Sequence, residues 1–208
     1  FGRDELVRAM VEQLERRRFL AVAGSSGSGK SSLVLAGLVP QLRALVPGLE
    51  LAYLTPGDFP LAALERELYL CRRRIENAVA GEAVPGFYIC SLSARSLIYK
   101  GMVRAELLDQ LYPDLLDPTF EAAYAIFHQR YSTNTFPEWR LAQPFRMLAH
   151  NGEINTLKGN LNWMRSHEIR MTAQAFGDRD GEVKPVVQAG GSDSAALDNV
   201  FEVLVRAG

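Results

Sequence analysis

Residues 128–164, HQRYSTNTFPEWRLAQPFRMLAHNGEINTLKGNLNWM, decide how the rest of the chain is interpreted. The stretch is rich in groups that hydrogen-bond small charged molecules, and it lacks the apolar periodicity of an ordinary core segment. Arg130 ends a run of β-branched and aromatic residues, which predicts a strand and hence a rigid support for its guanidinium. A guanidinium matches a carboxylate with two parallel hydrogen bonds. The stretch therefore indicates a binding site for a small charged molecule.

The dipeptide Asn151-Gly152 in the same stretch follows a second predicted strand, FRMLAH. Asn-Gly is a strong turn signal because both residues tolerate positive φ, so a hairpin turn is predicted here. Such a turn directs a backbone N–H and a side-chain amide the same way, which is what an oxyanion hole requires. A hairpin turn without a chemical role, together with an arginine in a salt bridge, is the alternative interpretation.

Three segments of the chain resemble the glutaminase domain of the glutamate synthase large subunit, a class II glutamine amidotransferase of the N-terminal-nucleophile hydrolase type. They are HQRYSTNTFP, AHNGEINTLKGNLNWMR and GGSDSAALDNVFE. The similarity begins near Leu68 and runs to the C-terminus. The resemblance implies that residues 67–208 form part of a four-layer αββα sandwich.

The resemblance also implies roles for particular residues of this sequence. It implies that Arg130 binds the α-carboxylate of glutamine, with Thr133 nearby, and that Asp193 pairs with the α-ammonium group. It further implies that Asn151 and Gly152 form the oxyanion hole. The roles of the arginine and of the Asn-Gly turn agree with what their chemistry indicates.

The nucleophile of this family is the first residue of the mature chain, a cysteine whose own α-amino group serves as the base. This sequence begins with Phe1, and its two cysteines, Cys71 and Cys90, are internal. Internal cysteines have no free amine to activate them, and we interpret both as small core residues. We therefore expect the chain to bind glutamine without hydrolysing it.

A second motif occupies residues 19–32, FLAVAGSSGSGKSS, where a short apolar strand runs into a G-x-x-x-x-G-K-S pattern and then a helix. Glycines let successive N–H groups turn inward around a phosphate, while Lys30 neutralises its oxygens and Ser31 ligates magnesium. Mg-ATP is the predicted ligand, and a serine-rich linker is the alternative. The predicted nucleotide-binding residues are Gly24, Gly27, Gly29, Lys30, Ser31 and Ser32.

Residues 1–66 as a block resemble the start of the signal-transduction ATPases with numerous domains. The segments that carry this resemblance are FGRDEL, FLAVAG, LVLAGLVPQL and ELAYLTPGDFPLAAL. A complete ATPase also needs a second strand ending in acidic residues, and no such strand is predicted here. The join with the glutaminase-like part falls within a predicted helix that begins at Pro60 and ends near Gly81. The sequence thus predicts a chimera-like chain with segments 1–66 and 67–208.

The predicted fold class is α/β, with a P-loop βα unit followed by part of an N-terminal-nucleophile-hydrolase-like sandwich. Two strands, GFYICSLS and RSLIYKG, are expected to form a hairpin around Ala94-Arg95. Helices are predicted over residues 1–18, with Asp4 as N-cap, and after the N-cap Ser192. The residues predicted to face the core are Leu6, Met10 and Leu14 in the first helix, Leu161, Met164 and Ile169 after the Asn-Gly turn, and Leu197, Val200 and Leu204 in the last helix.

Composition excludes several function classes. The 208 residues are 48% hydrophobic with a formal net charge of −1, which gives no field to attract nucleic acid or an anionic membrane. No apolar run has the length of a transmembrane helix, and no signal sequence is recognised, so a cytoplasmic setting is expected. No flavin or iron–sulfur motif occurs, and the oligomeric state is left open.

Three functions therefore follow from the sequence. The leading hypothesis is a glutamine-binding, amidotransferase-type domain without hydrolytic activity, fused to an ATP-binding P-loop segment. The first alternative is a nucleotide-binding module in which the remaining residues serve as scaffold. The second alternative is a chimeric fold in which neither site functions.

Overall fold

The fold was analysed in a computed structural model of the chain. The structure describes residues 3–17, 19–25, 27–49, 51, 58–82, 84, 86–129 and 137–208. The chain divides into two compact units, residues 1–53 and residues 54–208. Each unit has its own cluster of buried apolar side chains. The predicted functional division between residues 66 and 67 stays a prediction.

The first unit pairs helix α1 (Asp4–Arg17) with a longer helical segment. That segment consists of α2 (Lys30–Ser32), a π-helical turn (Leu33–Leu38) and α3 (Val39–Leu45). Proline lacks an N–H and its ring crowds the carbonyl four residues earlier, so the wider turn before Pro40 accommodates it. The buried core consists of Val7, Met10, Val11, Leu33 and Leu38.

The inner face of α1 differs from the predicted one. Met10 is buried as expected, but Leu6 is 49% exposed and Val7 takes its place in the core. Gly37 permits this close contact, because a Cβ atom at position 37 would lie 2.8 Å from Cγ2 of Val7. Only the first of the three predicted positions was wrong, because Leu6 and Val7 are both apolar and the pattern could not distinguish them.

The second unit contains four α-helices in its described residues. They are α4 (Pro60–Gly81), α5 (Leu108–Leu111), α6 (Lys158–Glu168) and α7 (Asp193–Ala207), accompanied by short 3₁₀ turns at Ala105–Leu107, Pro113–Leu116, Trp139–Leu141 and Gln174–Arg179. The predicted bounds of α4 are confirmed. The apolar core of the second unit consists of Tyr69, Leu70, Phe176, Val183, Val186 and Val203. No helix in the described ranges is long and apolar enough to cross a membrane.

The predicted strands do not form in the part of the chain that the structure describes, where no strand is present. The chain still reverses at Ala94-Arg95, where the Ser93 hydroxyl oxygen accepts from the N–H groups of Arg95 (3.1 Å) and Ser96 (3.2 Å). The two arms meet through side-chain-to-backbone contacts, such as Cys90 Sγ with the Ile98 carbonyl oxygen at 3.4 Å. A strand needs a hydrogen-bonded backbone partner, which residue propensity alone does not supply.

Two predicted core faces in the second unit also require correction. Leu161 and Met164 of α6 are half-buried as expected, but Ile169 is 82% exposed. In α7 the predicted Leu204 is 62% exposed. The buried residues of α7 are Ser194, Asp198, Glu202 and Val203. An apolar pattern could not reveal this face because most of its side chains are polar.

A buried ionic network explains the polar face of α7. The Arg72 guanidinium of α4 bonds to Glu76 at 2.7 Å and also contacts Glu202 of α7. Glu76 accepts further bonds from Arg73 (2.9 Å) and Arg146 (3.1 Å). Burial acts to raise the pKa of the Glu76 carboxyl, yet the positive charges of Arg72 and Arg146 outweigh burial and hold that pKa below its usual value.

Lys100 lies near this network, and its ammonium has no carboxylate partner among the residues that the structure describes. Its ammonium donates to the Arg140 carbonyl oxygen (3.1 Å) and lies 4.9 Å and 4.6 Å from the ring centroids of Tyr88 and Phe145. Burial, followed by the positive charge of Arg146, lowers the pKa of Lys100 to about 8.

Loss of the buried Arg72 is expected to destabilise the chain far more than loss of a nearby exposed arginine. Arg72→Ala leaves the Glu202 carboxylate buried without its cationic partner, which costs about 3–5 kcal/mol. Arg74 lies two residues away on the same helix, and its side chain is 52% exposed. Arg74→Ala is therefore the matched control and costs at most about 1 kcal/mol. Chemical denaturation measures both, and equal losses contradict the role of the network.

The burial of Lys100 predicts a pH-dependent stability. The unfolded chain keeps this proton up to a pH of about 10.5, whereas the folded chain releases it above a pH of about 8. The unfolded state therefore binds more protons in this window, and the contribution of Lys100 to the free energy of unfolding rises with pH. The free energies of unfolding of the wild type and of Lys100→Met are measured between pH 7 and 11. The difference between them isolates the contribution of Lys100 and is expected to rise with pH. A flat difference contradicts the prediction.

Candidate functional site

The HNGEIN segment lies against the N-terminus of α7. Nε2 of His150 is 2.7 Å from the Ser194 hydroxyl oxygen. Four residues further along, the Ile154 N–H donates to Oδ2 of Asp193 at 3.2 Å. The structure thus attaches residues 150 and 154, which flank the Asn151-Gly152 pair, to the first turn of α7, about 40 residues later in sequence.

Asp193 occupies the first turn of α7. The preceding residue is the N-cap, as predicted, since the Ser192 hydroxyl oxygen accepts from the Ala195 N–H at 3.1 Å. Oδ1 of Asp193 accepts from the Ser194 N–H at 2.6 Å. A helix N-terminus stabilises negative charge because its N–H groups and its dipole point toward the anion. The Asp193 side chain is thereby fixed at the N-terminus of α7.

The Asn151-Gly152 pair forms an exposed bend. Gly152 lies outside the positive-φ region, so the bend is not the predicted hairpin turn. Neither residue hydrogen-bonds to another residue that the structure describes. Their N–H and amide groups are therefore available as donors to a ligand oxygen, which is what an oxyanion hole requires.

An open cavity of about 510 Å³ lies beside Asp193. Most of its wall is apolar and comes from α6 and α7, and its size falls in the range of small-molecule sites. Its polar lining residues are Thr156, Asn160, His167 and Asp193, and its apolar ones are Ile154, Leu157, Leu161, Trp163, Met164, Val187, Ala196, Leu197 and Val200.

The remaining residues that the sequence singled out have different outcomes. Arg130 and Thr133 lie outside the described residues, and their roles stay predictions. Cys71 is exposed, so its assignment to the core is wrong, because it lies on α4 opposite the buried face that Leu70 and Arg72 belong to. Cys90 is half-buried. Neither cysteine lines the cavity.

Three residues of this site were not identified from the sequence. They are His150, Ser194 and Gln143, whose Oε1 accepts from the His150 N–H at 2.7 Å. The available signal was their adjacency to assigned residues, since His150 precedes Asn151 and Ser194 follows Asp193. Adjacency does not reveal that two side chains meet across the site.

The glycine-rich loop of the first unit curls around Lys30. The Lys30 ammonium donates to the carbonyl oxygens of Gly24 (2.7 Å) and Ser25 (2.6 Å). Gly27 and Gly29 have φ of 77° and 78°, a region that favours glycine. The loop leads into the helical segment that starts at Lys30. Phosphate binding by this loop, and the roles of Ser31 and Ser32 with magnesium, stay predictions.

The second unit therefore has a carboxylate, a bend whose hydrogen-bond donors have no partner among the described residues, and a largely apolar cavity in the region where residues 150–154 meet α7. Comparison with known proteins defines the class further. Residues 40–208 match the family model of the class-II glutamine amidotransferases. The chain belongs to this family.

The similar proteins are glutamate synthases. The chain is 67% identical over 144 residues to the glutamate synthase [NADPH] large chain of Azospirillum brasilense, covering 69% of this chain and 10% of that protein. It is 51% identical over 146 residues to ferredoxin-dependent glutamate synthase 1 of Arabidopsis thaliana, covering 70% of this chain and 9% of that protein. It is 41% identical over 206 residues to ferredoxin-dependent glutamate synthase 2 of Synechocystis, covering 98% of this chain and 13% of that protein. The chain thus spans about a tenth of the length of these relatives.

These findings bear on the two predicted parts differently. They confirm the resemblance of the C-terminal part to glutamate synthase glutaminase domains, and family membership supports the α/β class. They give no support to a separate origin of residues 1–66, since the alignment with the Synechocystis protein covers 98% of the chain. The P-loop function stays a prediction.

Proposed function

We propose that the second unit binds glutamine as the amidotransferase part of a glutamate synthase. The observation that carries the proposal is the contact between Asp193 and the HNGEIN segment, 3.2 Å from Oδ2 to the Ile154 nitrogen, beside the cavity. In this proposal Asp193 binds the α-ammonium group, and Asn151 and Gly152 bind the carboxamide oxygen. Arg130, with Thr133 nearby, binds the α-carboxylate.

We further propose that this 208-residue chain binds glutamine without hydrolysing it. Amide hydrolysis by this family needs a cysteine thiolate at the substrate carbonyl. Cys71 is exposed on α4, the Cys90 thiol lies at the Ile98 carbonyl, and neither lines the cavity. Ammonia release from glutamine at an enzyme-like rate by the purified chain contradicts this part of the proposal.

Asp193→Asn is expected to weaken glutamine binding at least tenfold, because the substitution keeps the shape of the side chain but removes the charge that pairs with the ammonium group. Isothermal titration calorimetry of the full chain with glutamine measures the effect. Asp178→Asn removes an exposed carboxylate from the same unit and is the matched control, with unchanged affinity expected. Equal affinities of Asp193→Asn and the wild type contradict the assignment.

A second candidate function is nucleotide binding by the first unit. It is favoured by the position of the Lys30 ammonium inside the glycine-rich loop, where the carbonyl oxygens of Gly24 and Ser25 hold it at 2.7 Å and 2.6 Å. In this proposal the β- and γ-phosphates of Mg-ATP replace these carbonyl contacts, and Ser31 ligates the magnesium ion.

Lys30→Ala is expected to abolish Mg-ATP binding, because the cation that neutralises the phosphate oxygens is removed. Lys158 is also the first residue of a helix but follows no glycine-rich loop, so Lys158→Ala is the matched control. Titration with a fluorescent ATP analogue measures both variants. If Lys30→Ala keeps the wild-type affinity, the proposal that the glycine-rich loop binds ATP is contradicted.

A further inference from the structure

The contact between His150 and Ser194 has no assigned role. Ser194 is buried on the inner face of α7, with 7% of its surface exposed, and its hydroxyl oxygen lies 2.7 Å from Nε2 of His150. The backbone of His150 is held as well, since its N–H donates to Oε1 of Gln143 at 2.7 Å. His150 is therefore fixed at both its ring and its main chain. We call the His150–Ser194 contact the clamp.

The clamp acts together with the bond between Ile154 and Asp193. Residues 150 and 154 are attached to two consecutive residues of α7, Ser194 and Asp193. The Asn151-Gly152 bend lies between these two attachments. The bend is consequently attached to the first turn of α7 on both sides.

We propose that His150 and Ser194 are positioning residues that select the length of the bound amino-acid amide. The inference rests on the proposed function, in which Asp193 binds the ammonium group and the Asn151-Gly152 bend binds the carboxamide oxygen. The clamp sets the distance between these two binding points. An amide of the right length reaches both, and an amide one methylene shorter reaches only one.

Asparagine is the natural probe of this distance, because it carries the same functional groups as glutamine on a side chain one methylene shorter. One methylene is worth about 10- to 200-fold in discrimination at a protein site. The clamped wild-type chain is therefore expected to bind glutamine at least tenfold more tightly than asparagine. Asparagine gains little from the fixed distance, so loosening the clamp affects its binding less.

Ser194→Ala tests the proposal. The substitution removes the contacts of the Ser194 hydroxyl with Nε2 of His150 and with Oδ1 of Asp193 (3.2 Å). It is expected to weaken glutamine binding about fivefold, while the asparagine affinity changes less than twofold, so that the preference for glutamine falls. Titration of the 208-residue chain with glutamine and with asparagine measures the ratio of the two affinities. Asn199→Ala is the matched control, because Asn199 also lies on α7 and its side chain donates to the Val186 carbonyl oxygen (3.0 Å), away from the bend.

The other side of the clamp supplies an independent variant in case Ser194→Ala does not fold. His150→Phe removes the ring nitrogen and is expected to reduce the glutamine preference as Ser194→Ala does. His150→Gln restores a polar side-chain group and is expected to regain part of the preference. Thermal melts establish that each variant is folded, and Asn199→Ala is expected to lower stability without changing the ratio of affinities.

Each result has a distinct meaning. A lower glutamine-to-asparagine preference in the clamp variants, with an unchanged preference in Asn199→Ala, supports the proposal. Glutamine binding by the wild type with an unchanged preference in the clamp variants overturns the positioning role and leaves the proposed function intact. Absence of glutamine binding by the wild type overturns the proposed function and this inference with it.

Discussion

The second unit depends on the burial of opposite charges between α4 and α7. Arg72 contacts both Glu76 and Glu202, and Arg146 joins them from the segment that precedes the HNGEIN sequence. Taking isolated charges out of water is costly, so these groups are stable inside only while each has its partners. The network therefore constrains the geometry of three separate chain segments far more strictly than an apolar contact of the same area.

Helix α7 also contacts the segment that leads to the candidate site. Oδ1 of Asp198 accepts from the Met147 N–H at 2.7 Å, and Oδ2 accepts from the Arg146 N–H at 3.3 Å. Together with Ser194 and Asp193, Asp198 attaches the 146–154 segment to α7 at successive points along the helix. The helix thus supports the network and aligns the 146–154 segment, so the proposed ligand site lies beside a rigid element.

Local sequence signals predicted the parts of the structure that local chemistry determines. Pro60 and Ser192 mark helix starts because ring geometry and hydroxyl capping act within one turn. His150 and Ile154, which flank the Asn-Gly pair, contact Ser194 and Asp193, and no local signal predicted these contacts. The functional roles assigned to these residues are separate from their placement and stay predictions.

The errors in the sequence interpretation have one physical origin, since they concern properties that depend on distant residues. Strand propensity in GFYICSLS is satisfied only when a backbone partner is present, and the buried face of α7 is polar because its partners are charged. Hydrophobic periodicity could not predict that Asp198 and Glu202 point inward while Leu204 is exposed. The His150–Ser194 contact likewise joins residues 44 positions apart.

The buried network also constrains how this sequence can evolve. Replacing one of its charged residues leaves a partner uncompensated, so most single substitutions among Arg72, Glu76, Arg146 and Glu202 pass through a less stable intermediate. Substitutions that remove a cation and an anion together avoid this barrier. These positions are therefore expected to covary among homologues, and the fitness effect of a change at one of them depends on the residues that the others hold.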